Sequence, residues 1–308
     1  MHTELLSWYN QHGRHDLPWR NTSDVYHVYV SEVMLQQTQV KRVLEEYYFQ
    51  FLERFPTLET LASAPLDDVF SLWSGLGYYR RAKNLHATAQ LCAPSLPKTS
   101  KELLALPGIG RYTASAICSF GYDQKISVVD TNIARVLTRY LGLRDAKEKE
   151  LWSAADSLLH PKEVRSHNLA LMDLGSLVCL PKNPLCDTCP LLFGCKAKEN
   201  LQLFTKTTSK EYINQDLYFG IYRKKEKLAF RKSREGMYKD MLELPRIEFQ
   251  ESGYIGTFKH SVTKYHLSIS VYELEEEPLD VEYISLYEIE RAPISSMTKK
   301  ALKLYLQK

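Results

Sequence analysis

The spacing of apolar residues predicts helices over the first two thirds of the chain. Between residues 3 and 200, apolar side chains recur every three or four positions, as Val33, Val40 and Leu44 do. This period is that of amphipathic helices, and short turns carrying proline or glycine separate the segments. We therefore expect an all-α region over residues 1–204.

The pattern changes beyond this region and predicts a second domain of a different class. In residues 266–272, apolar and polar side chains alternate as in a half-buried strand, and residues 297–306 read as one short helix. Residues 205–214 are polar and lack apolar periodicity, which is typical of a linker. The sequence thus predicts a smaller α+β domain over residues 215–308.

Composition limits the class of protein. The chain has 308 residues, of which 44% are hydrophobic and 25% charged, enough to form a core in each of two domains. Its net charge of +3 permits a nucleic-acid partner without requiring one. No apolar run approaches the roughly 18 residues of a membrane span, and residues 1–10 do not resemble a secretory signal. We expect a cytoplasmic protein without a membrane partner.

Four of the six cysteines crowd into a short loop with the spacing C-x6-C-x2-C-x5-C. Such crowding indicates metal or cluster ligation rather than disulfides. A tetrahedral zinc site is one interpretation, but the long gaps favour a 4Fe-4S cluster. We expect the other two cysteines to be core residues. The loop cysteines are Cys179, Cys186, Cys189 and Cys195, and the others are Cys92 and Cys118.

Residues 106–116 have the form of a helix-hairpin-helix turn. Gly108 and Gly110 would let the backbone approach a phosphate, and the helix that follows would present free N–H groups. Such a turn grips DNA without reading its sequence. An ordinary glycine turn between two helices is the alternative.

Two acidic residues are candidates for chemistry. Glu32 lies in a predicted helix over residues 28–43, on one stripe with Gln36 and Gln39, in a segment short of charges. A surface glutamate is the alternative. Asp130 follows an apolar stretch and precedes a helical segment, so it is either a functional acid or a helix N-cap.

Several separated motifs together resemble the adenine DNA glycosylases of the MutY family. The likeness extends over nearly the whole chain and includes the cysteine loop. The other motifs are LPWR (17–20), SEVMLQQTQV (31–40), GLGYYRR (75–81), LPGIGRYTA (106–114), VDTN (129–132) and MDLGSLVC (172–179).

The resemblance implies a base-excision enzyme that flips adenine, mispaired with 8-oxoguanine or guanine, out of duplex DNA. Glu32 would protonate the adenine at N7 and help activate water. Asp130 would stabilise or briefly capture the cationic sugar, as paired carboxylates do in glycosidases. Tyr112 and Asn132 would position Asp130 and the sugar. A monomer is the default for one enzyme acting on one lesion.

The resemblance also implies roles in DNA contact. Gln37, Thr38 and Tyr78 would wedge into the duplex, while Trp19 and Arg20 would line the adenine pocket. The 4Fe-4S cluster has no open position for substrate, so we expect it to order its loop against the DNA backbone rather than to take part in the reaction.

The C-terminal domain resembles the Nudix-like lesion-recognition domain of these enzymes, with residues 236–245 near the family's aromatic-rich segment. Where the family usually shows Phe-Ser-His in its lesion-reading loop, this chain has Val262, Thr263 and Lys264. Thr263 can still form a hydrogen bond, but Lys264 changes the contact. Leu169 also departs from relatives that have Glu or Gln beside the adenine pocket.

Two other functions are open at this point. An endonuclease III-like glycosylase and lyase would share the hairpin and the cluster loop, but it needs an amine nucleophile in the hairpin helix, where this chain has Tyr112. Ala134 likewise offers no amine where some relatives carry a lysine. A non-enzymatic iron-sulfur DNA-binding protein would have no need of Glu32 and Asp130.

Overall fold

A computed structural model describes the chain except for residues 205–210, 235–240, 263, 290–291 and 308. Helices fill the first 204 residues, as the apolar spacing predicted. Among the described helices, none is both long and apolar enough to cross a membrane. The α-helices are α1 (His2–His12), α2 (Val25–Leu35), α3 (Val40–Arg42), α4 (Tyr48–Arg54), α5 (Leu58–Ser63), α6 (Leu66–Trp73), α7 (Arg80–Cys92), α8 (Ser100–Leu103), α9 (Arg111–Ala116), α10 (Thr131–Leu141), α11 (Glu148–Leu158), α12 (Val164–Leu177) and α13 (Ser296–Leu306).

Short 3-10 and π turns extend or join several of these helices. The π turns occur where α3 and α9 continue into the next segment. The 3-10 turns are Pro18–Arg20, Cys186–Thr188, Leu192–Gly194 and Leu201–Phe204, and the π turns are Val43–Tyr47 and Ile117–Gly121.

Strands begin after the helical region, and the first of them starts within the predicted linker, at Ile213 rather than after residue 214. β1, β6 and β5 form one sheet in that order, with β1 parallel and β5 antiparallel to β6. β2, β3 and β4 form a second sheet, in which β7 also pairs with β3. The strands are β1 (Ile213–Ile221), β2 (Arg223–Lys224), β3 (Lys227–Lys232), β4 (Leu242–Glu243), β5 (Tyr254–Val262), β6 (Tyr265–Glu273) and β7 (Glu282–Ser285).

The described chain forms two compact units whose division differs from the linear boundaries expected from sequence. One unit comprises Met1–Leu44 and Leu91–Thr207, and the other comprises Glu45–Gln90 and Thr208–Lys308. Within the second unit, the hydroxyls of Ser74 and Tyr79 both donate to the carbonyl of Ile294, at 3.3 and 3.4 Å. The spacing of apolar residues groups α4–α7 with the other helices. This spacing indicates that a segment is helical, but it does not indicate which other segments that helix packs against.

The core of the first unit supports the residues that carry the candidate chemistry. α1, α10 and α12 pack together through buried side chains that include Leu5, Ile133, Leu137 and Leu171. Cys118 is buried in this unit as expected, whereas Cys92 is half-buried at the end of α7. Burial of this apolar area is what holds these helices in place.

The predicted helix over residues 28–43 is wrong in its middle. α2 ends at Leu35, and the chain resumes helical structure at Val40. Between them, Gln37 has φ 57°, in the left-handed region that glycine favours and other residues rarely adopt. The apolar period runs across this interruption, so period could not reveal it.

Candidate active site and cysteine loop

A cavity of about 230 Å³ lies within the first unit and brings together seven of the site residues singled out from sequence. An adjoining cavity shares three of them and adds Gln37. Apolar walls come from Val28, Leu35 and Leu169. The sequence-predicted residues on the first cavity are Trp19, Arg20, Glu32, Thr38, Tyr112, Asp130 and Asn132.

Glu32 is buried on α2, with 6% of its surface exposed, so the surface-glutamate alternative is wrong. Burial raises the pKa of Glu32 to about 7, and the charge of Asp130 acts in the same direction. A hydrogen bond from the Tyr112 hydroxyl and the charge of Arg20 oppose this rise. The second carboxylate oxygen, Oε2, has no hydrogen-bond partner in the described structure. Glu32 can therefore hold a proton near neutral pH.

Asp130 is the N-cap of α10, as one interpretation of its position predicted, and it also lines the cavity. Its Oδ1 accepts from the backbone N–H of Ile133 at 2.7 Å, and its Oδ2 accepts from Nδ2 of Asn132 at 2.8 Å. Two donors thus fix the carboxylate at a helix N-terminus, where a negative charge is favoured. The cavity holds two acids in unlike surroundings.

A buried ion network, which sequence reasoning missed, borders the same cavity. Asp173 on α12 is fully buried and accepts from Nη1 and Nη2 of Arg20 at 2.6 and 2.8 Å. Nε and Nη2 of Arg14 donate to it at 2.8 and 2.5 Å, and the Arg14 backbone N–H does so at 2.9 Å. One sequence signal could have revealed this network, namely an acidic residue inside the apolar run ALMDLG (170–175). A buried acidic side chain needs a partner of opposite charge.

The electrostatics of this network are those of a paired, ionised carboxylate. Burial alone would raise the pKa of Asp173, but the hydrogen bonds and charge of Arg20, helped by Arg14, lower it below its ordinary value. Arg20 in turn has a raised pKa, since Asp173 outweighs the cost of burying its charge. The network therefore stays ionised at neutral pH.

Two residues predicted to wedge into DNA have unusual backbone geometry. Gln37 and Tyr78 have φ of 57° and 51°, and both are non-glycine residues in the left-handed region. Tyr78 follows Gly77, whose φ is 79°. Such conformations cost of order 1–3 kcal/mol and concentrate at functional sites.

The two hairpin glycines, Gly108 and Gly110, differ in backbone conformation. Gly108 has φ 73°, which a side chain would strain, whereas Gly110 has φ −90° and is the N-cap of α9. A Cβ added at Gly110 would meet nothing within 4 Å. The space beside Gly110 is thus left open by the protein itself.

The four loop cysteines line one small cavity together with Arg139. Among the described residues, no three or more His, Cys, Asp and Glu side chains are placed to share one metal ion. Nη1 of the buried Arg139 donates to Sγ of Cys179 at 3.3 Å, so a cation lies beside the thiols.

A second arginine connects the cysteine loop to Asp130 through Asn132. Nε of Arg135 donates to the carbonyl of Cys179 at 2.7 Å, and its Nη2 donates to Oδ1 of Asn132 at 2.9 Å. Asn132 is the residue whose Nδ2 holds Asp130. A continuous chain of hydrogen bonds therefore runs from the loop to the Asp130 carboxylate.

In the second unit, the expected lesion-reading loop is the turn between β5 and β6. Val262 pairs with Tyr265, and Lys264 is exposed just before β6. The ammonium of Lys264 lies 5.5 Å from the centre of the Tyr265 ring. Thr263 lies outside the described residues, as do residues 236–240 of the aromatic-rich segment.

Comparison with known proteins identifies the family. Residues 30–161 match the model of the HhH-GPD superfamily base excision DNA repair proteins. An adenine DNA glycosylase of Buchnera aphidicola subsp. Baizongia pistaciae is 39% identical over 254 residues, which are 79% of this chain and 72% of that protein. This chain belongs to the adenine DNA glycosylase family. It is a DNA N-glycosylase of base excision repair.

Other relatives agree with membership of the adenine DNA glycosylase family. The human adenine DNA glycosylase is 43% identical over 216 residues, covering 64% of this chain and 39% of that longer protein. Among solved structures, a thermostable thymine-DNA glycosylase matches with a TM-score of 0.60 and 29% identity over 64% of this chain and 94% of that one. An endonuclease III–DNA complex matches with a TM-score of 0.57 and 20% identity over 65% and 94%, which shows a shared fold.

Proposed function

We propose that this adenine DNA glycosylase removes adenine opposite 8-oxoguanine or guanine by hydrolysing its N-glycosidic bond, with Glu32 and Asp130 as the reacting acids. The observation that carries the proposal is that one cavity holds two carboxylates, of which one lies in surroundings that favour its protonated form and the other in surroundings that favour its charged form. Glu32 is buried with an unpaired oxygen and a pKa raised to about 7 by burial. Asp130 accepts two hydrogen bonds at a helix N-terminus.

Glu32 is the general acid in this mechanism. With a pKa of about 7, its carboxyl is protonated in a substantial fraction of the enzyme molecules at neutral pH. It can transfer that proton to N7 of a flipped adenine. Protonation makes the base a better leaving group. After the base departs, the carboxylate of Glu32 can take a proton from the attacking water.

Asp130 faces the sugar. As the glycosidic bond breaks, positive charge develops on the sugar ring, and a fixed carboxylate in a cavity sheltered from water stabilises that charge. Asn132 holds Oδ2 of Asp130, and Tyr112 donates to Glu32. The two polar residues thus orient the two acids.

The remaining site residues bind DNA and the base. Trp19 and Arg20 line the pocket that receives adenine, and Gln37, Thr38 and Tyr78 wedge into the duplex. Support for the wedge comes from the left-handed backbone at Gln37 and Tyr78, a strained conformation that concentrates at functional sites. At the hairpin, Gly108 and Gly110 hold the backbone near a phosphate.

A 4Fe-4S cluster on Cys179, Cys186, Cys189 and Cys195 fits the lining of the loop cavity, where thiols and a buried arginine meet. When bound, the cluster supplies a rigid cross-link of the loop rather than a reactive centre. Arg139 donates to the carbonyls of Leu180 and Pro181 at 2.7 and 3.1 Å and so orients the loop on α10.

Opposite-base recognition is assigned to a Nudix-like domain over residues 215–308, after a helical glycosylase region over residues 1–204. Its support is the mixed sheet of β1, β6 and β5 with α13, which gives an α+β class. Lys264 replaces a histidine of the family pattern. Its charge adds phosphate attraction to the β5–β6 turn and weakens the discrimination of 8-oxoguanine from guanine.

The proposal is tested with matched duplexes in single-turnover assays followed by alkali cleavage. We expect strand cleavage at adenine opposite 8-oxoguanine and opposite guanine, and none at adenine opposite thymine. Efficient borohydride trapping on a thymine-glycol duplex, with adenine left intact, would instead establish a lyase. No lysine lines either cavity in the described structure, which favours simple hydrolysis.

A further inference from the structure

The active-site cavity holds an arginine and an unpaired carboxylate that do not bind each other. Arg20 and Glu32 both line the cavity, and each acts electrostatically on the other. Oε2 of Glu32 is buried without a hydrogen-bond partner in the described structure. A guanidinium near a buried carboxylate would ordinarily form a bidentate ion pair with it.

The direction in which Arg20 points explains why this pair is missing. Both terminal nitrogens of Arg20 donate to Asp173, at 2.6 and 2.8 Å. Asp173 also accepts three hydrogen bonds from Arg14. Its carboxylate oxygens are thus occupied by two cations, and the fork of Arg20 is turned toward α12 instead of α2.

An ion pair between Arg20 and Glu32 would slow the reaction at neutral pH. A carboxylate held by a guanidinium is stabilised in its charged form and gives up its proton. Glu32 would then have no proton for the base at neutral pH. Arg20 lines the same cavity as Glu32, so the acid keeps its proton only if the guanidinium is held elsewhere.

We propose that Asp173 is a positioning residue that holds Arg20 away from Glu32 and thereby keeps Glu32 able to carry its proton. The inference rests on the proposed function, in which Glu32 is the acid. Asp173 does not touch the reacting atoms. It acts through Arg20, by competing with Glu32 for the same guanidinium.

Few charged or titratable groups surround the side chains of Glu32 and Arg20. Glu32 faces Tyr112 on α9, Asp130 at the start of α10, and Arg20. Arg20 faces Tyr9 on α1 as well as Asp173. Arg165 on α12 also lines the cavity, but its guanidinium donates to the carbonyls of Arg20 and Phe120, at 2.8 and 3.4 Å. Within the described structure, Arg20 is thus the cation that Asp173 keeps from Glu32.

The test compares the pH dependence of single-turnover adenine release in the wild type and in Asp173→Asn. The wild-type rate should fall as pH rises through about 7, where Glu32 loses its proton. In Asp173→Asn, the released Arg20 pairs with Glu32, and the midpoint of this fall should move about 1–3 pH units lower. A double variant with Arg20→Gln should bring the midpoint back toward the wild-type value.

A matched control removes the aspartate from an exposed arginine pair. Asp68 accepts from Nη2 of Arg54 at 2.9 Å on the surface of the second unit. Asp68→Asn should keep the wild-type midpoint. If Asp173→Asn lowers the rate equally at every pH and its midpoint does not move, Asp173 has a structural role alone and the proposal is wrong.

A further variant covers the case in which Asp173→Asn does not fold. Arg20→Gln alone, with Asp173 in place, should raise the midpoint by less than about one pH unit, because Asp173 already offsets most of the cation's effect. A larger rise would contradict the proposal. Failure of the proposed function looks different, since the wild type would then release no adenine at any pH.

Discussion

The Tyr112 hydroxyl donates a hydrogen bond to the Glu32 carboxylate, and this contact opposes the rise that burial causes in the pKa of Glu32. Glu32 in turn helps to raise the pKa of Tyr112 well above its ordinary value, after burial itself. The phenol therefore keeps its proton and acts as a donor alone. The acidity of Glu32 is set by opposed contributions that single substitutions can separate.

Tyr112→Phe should shift the pH profile of adenine release toward higher pH. Losing the donor removes a contact that favours the charged carboxylate, so the pKa of Glu32 rises further and its proton persists to higher pH. We expect the midpoint of the single-turnover profile to move up by about one pH unit. Tyr122→Phe is the control, because it removes a hydroxyl that donates to the carbonyl of Leu96, away from the cavity. Equal midpoints in wild type and Tyr112→Phe would contradict the assignment.

Glu32→Gln should stabilise the fold at alkaline pH. The folded-state pKa of Glu32 is raised to about 7 from an ordinary value of 4.5, so the folded protein loses stability as pH rises from 4.5 to 7 and does not regain it above pH 7. The difference corresponds to about 3 kcal/mol. Urea unfolding at pH 8 should therefore show the variant as more stable than the wild type, and near pH 4 this advantage should vanish. An advantage that is the same at both pH values would have another cause.

Two glycine substitutions should separate folding from DNA contact. A Cβ at Gly175 would lie 2.6 Å from Cβ of Asn132 and 2.8 Å from its carbonyl oxygen, so Gly175→Ala should push α10 and lower thermal stability and excision together.

At Gly110 a Cβ meets nothing within 4 Å, so Gly110→Ala should fold normally. Its duplex affinity should nonetheless fall, because the methyl group occupies the space beside a phosphate. Unchanged affinity in Gly110→Ala would remove the hairpin from the DNA interface.

Arg135→Lys should slow the chemical step more than it weakens DNA binding. Arg135 donates to the carbonyls of Cys179 and Gly175 and to Asn132, and a lysine cannot make all three contacts in that geometry. Without this support Asn132 no longer fixes Asp130, and we expect the single-turnover rate to drop about tenfold, the cost of one charged hydrogen bond. Arg144→Lys, which alters an arginine stacked near Phe204, is the control. A variant with a normal rate and weak binding would argue against the connection.

Much of the site could be predicted from sequence because its residues stand in motifs with local causes. Asp130 precedes a helix, Gly108 and Gly110 form a short hairpin, and the four cysteines are close in the chain. The buried state of Glu32 was indicated by the scarcity of charge around it. Each of these signals lies within a few residues of the side chain that it concerns.

The remainder depends on contacts between distant segments. Asp173 forms hydrogen-bonded ion pairs with Arg14 and Arg20, which lie more than 150 residues away in the chain. No pattern of neighbouring residues predicts which arginines these are. Arg135 reaches Cys179 across 44 residues. The left-handed turn at Gln37 is likewise hidden, since apolar residues keep a helical period on both sides of it. Tertiary structure, rather than propensity, decides all three.

We propose above all that Glu32 and Asp130 perform the excision of adenine. The most direct test of this proposal is the single-turnover rate of adenine release from an 8-oxoguanine:adenine duplex at pH 7, measured for the wild type, Glu32→Gln and Asp130→Asn with duplex affinity checked for each. We predict that both variants bind the duplex and that each loses about a hundredfold to ten-thousandfold in rate, as removal of a reacting group does. A Glu32→Gln variant that releases adenine at the wild-type rate would contradict the account.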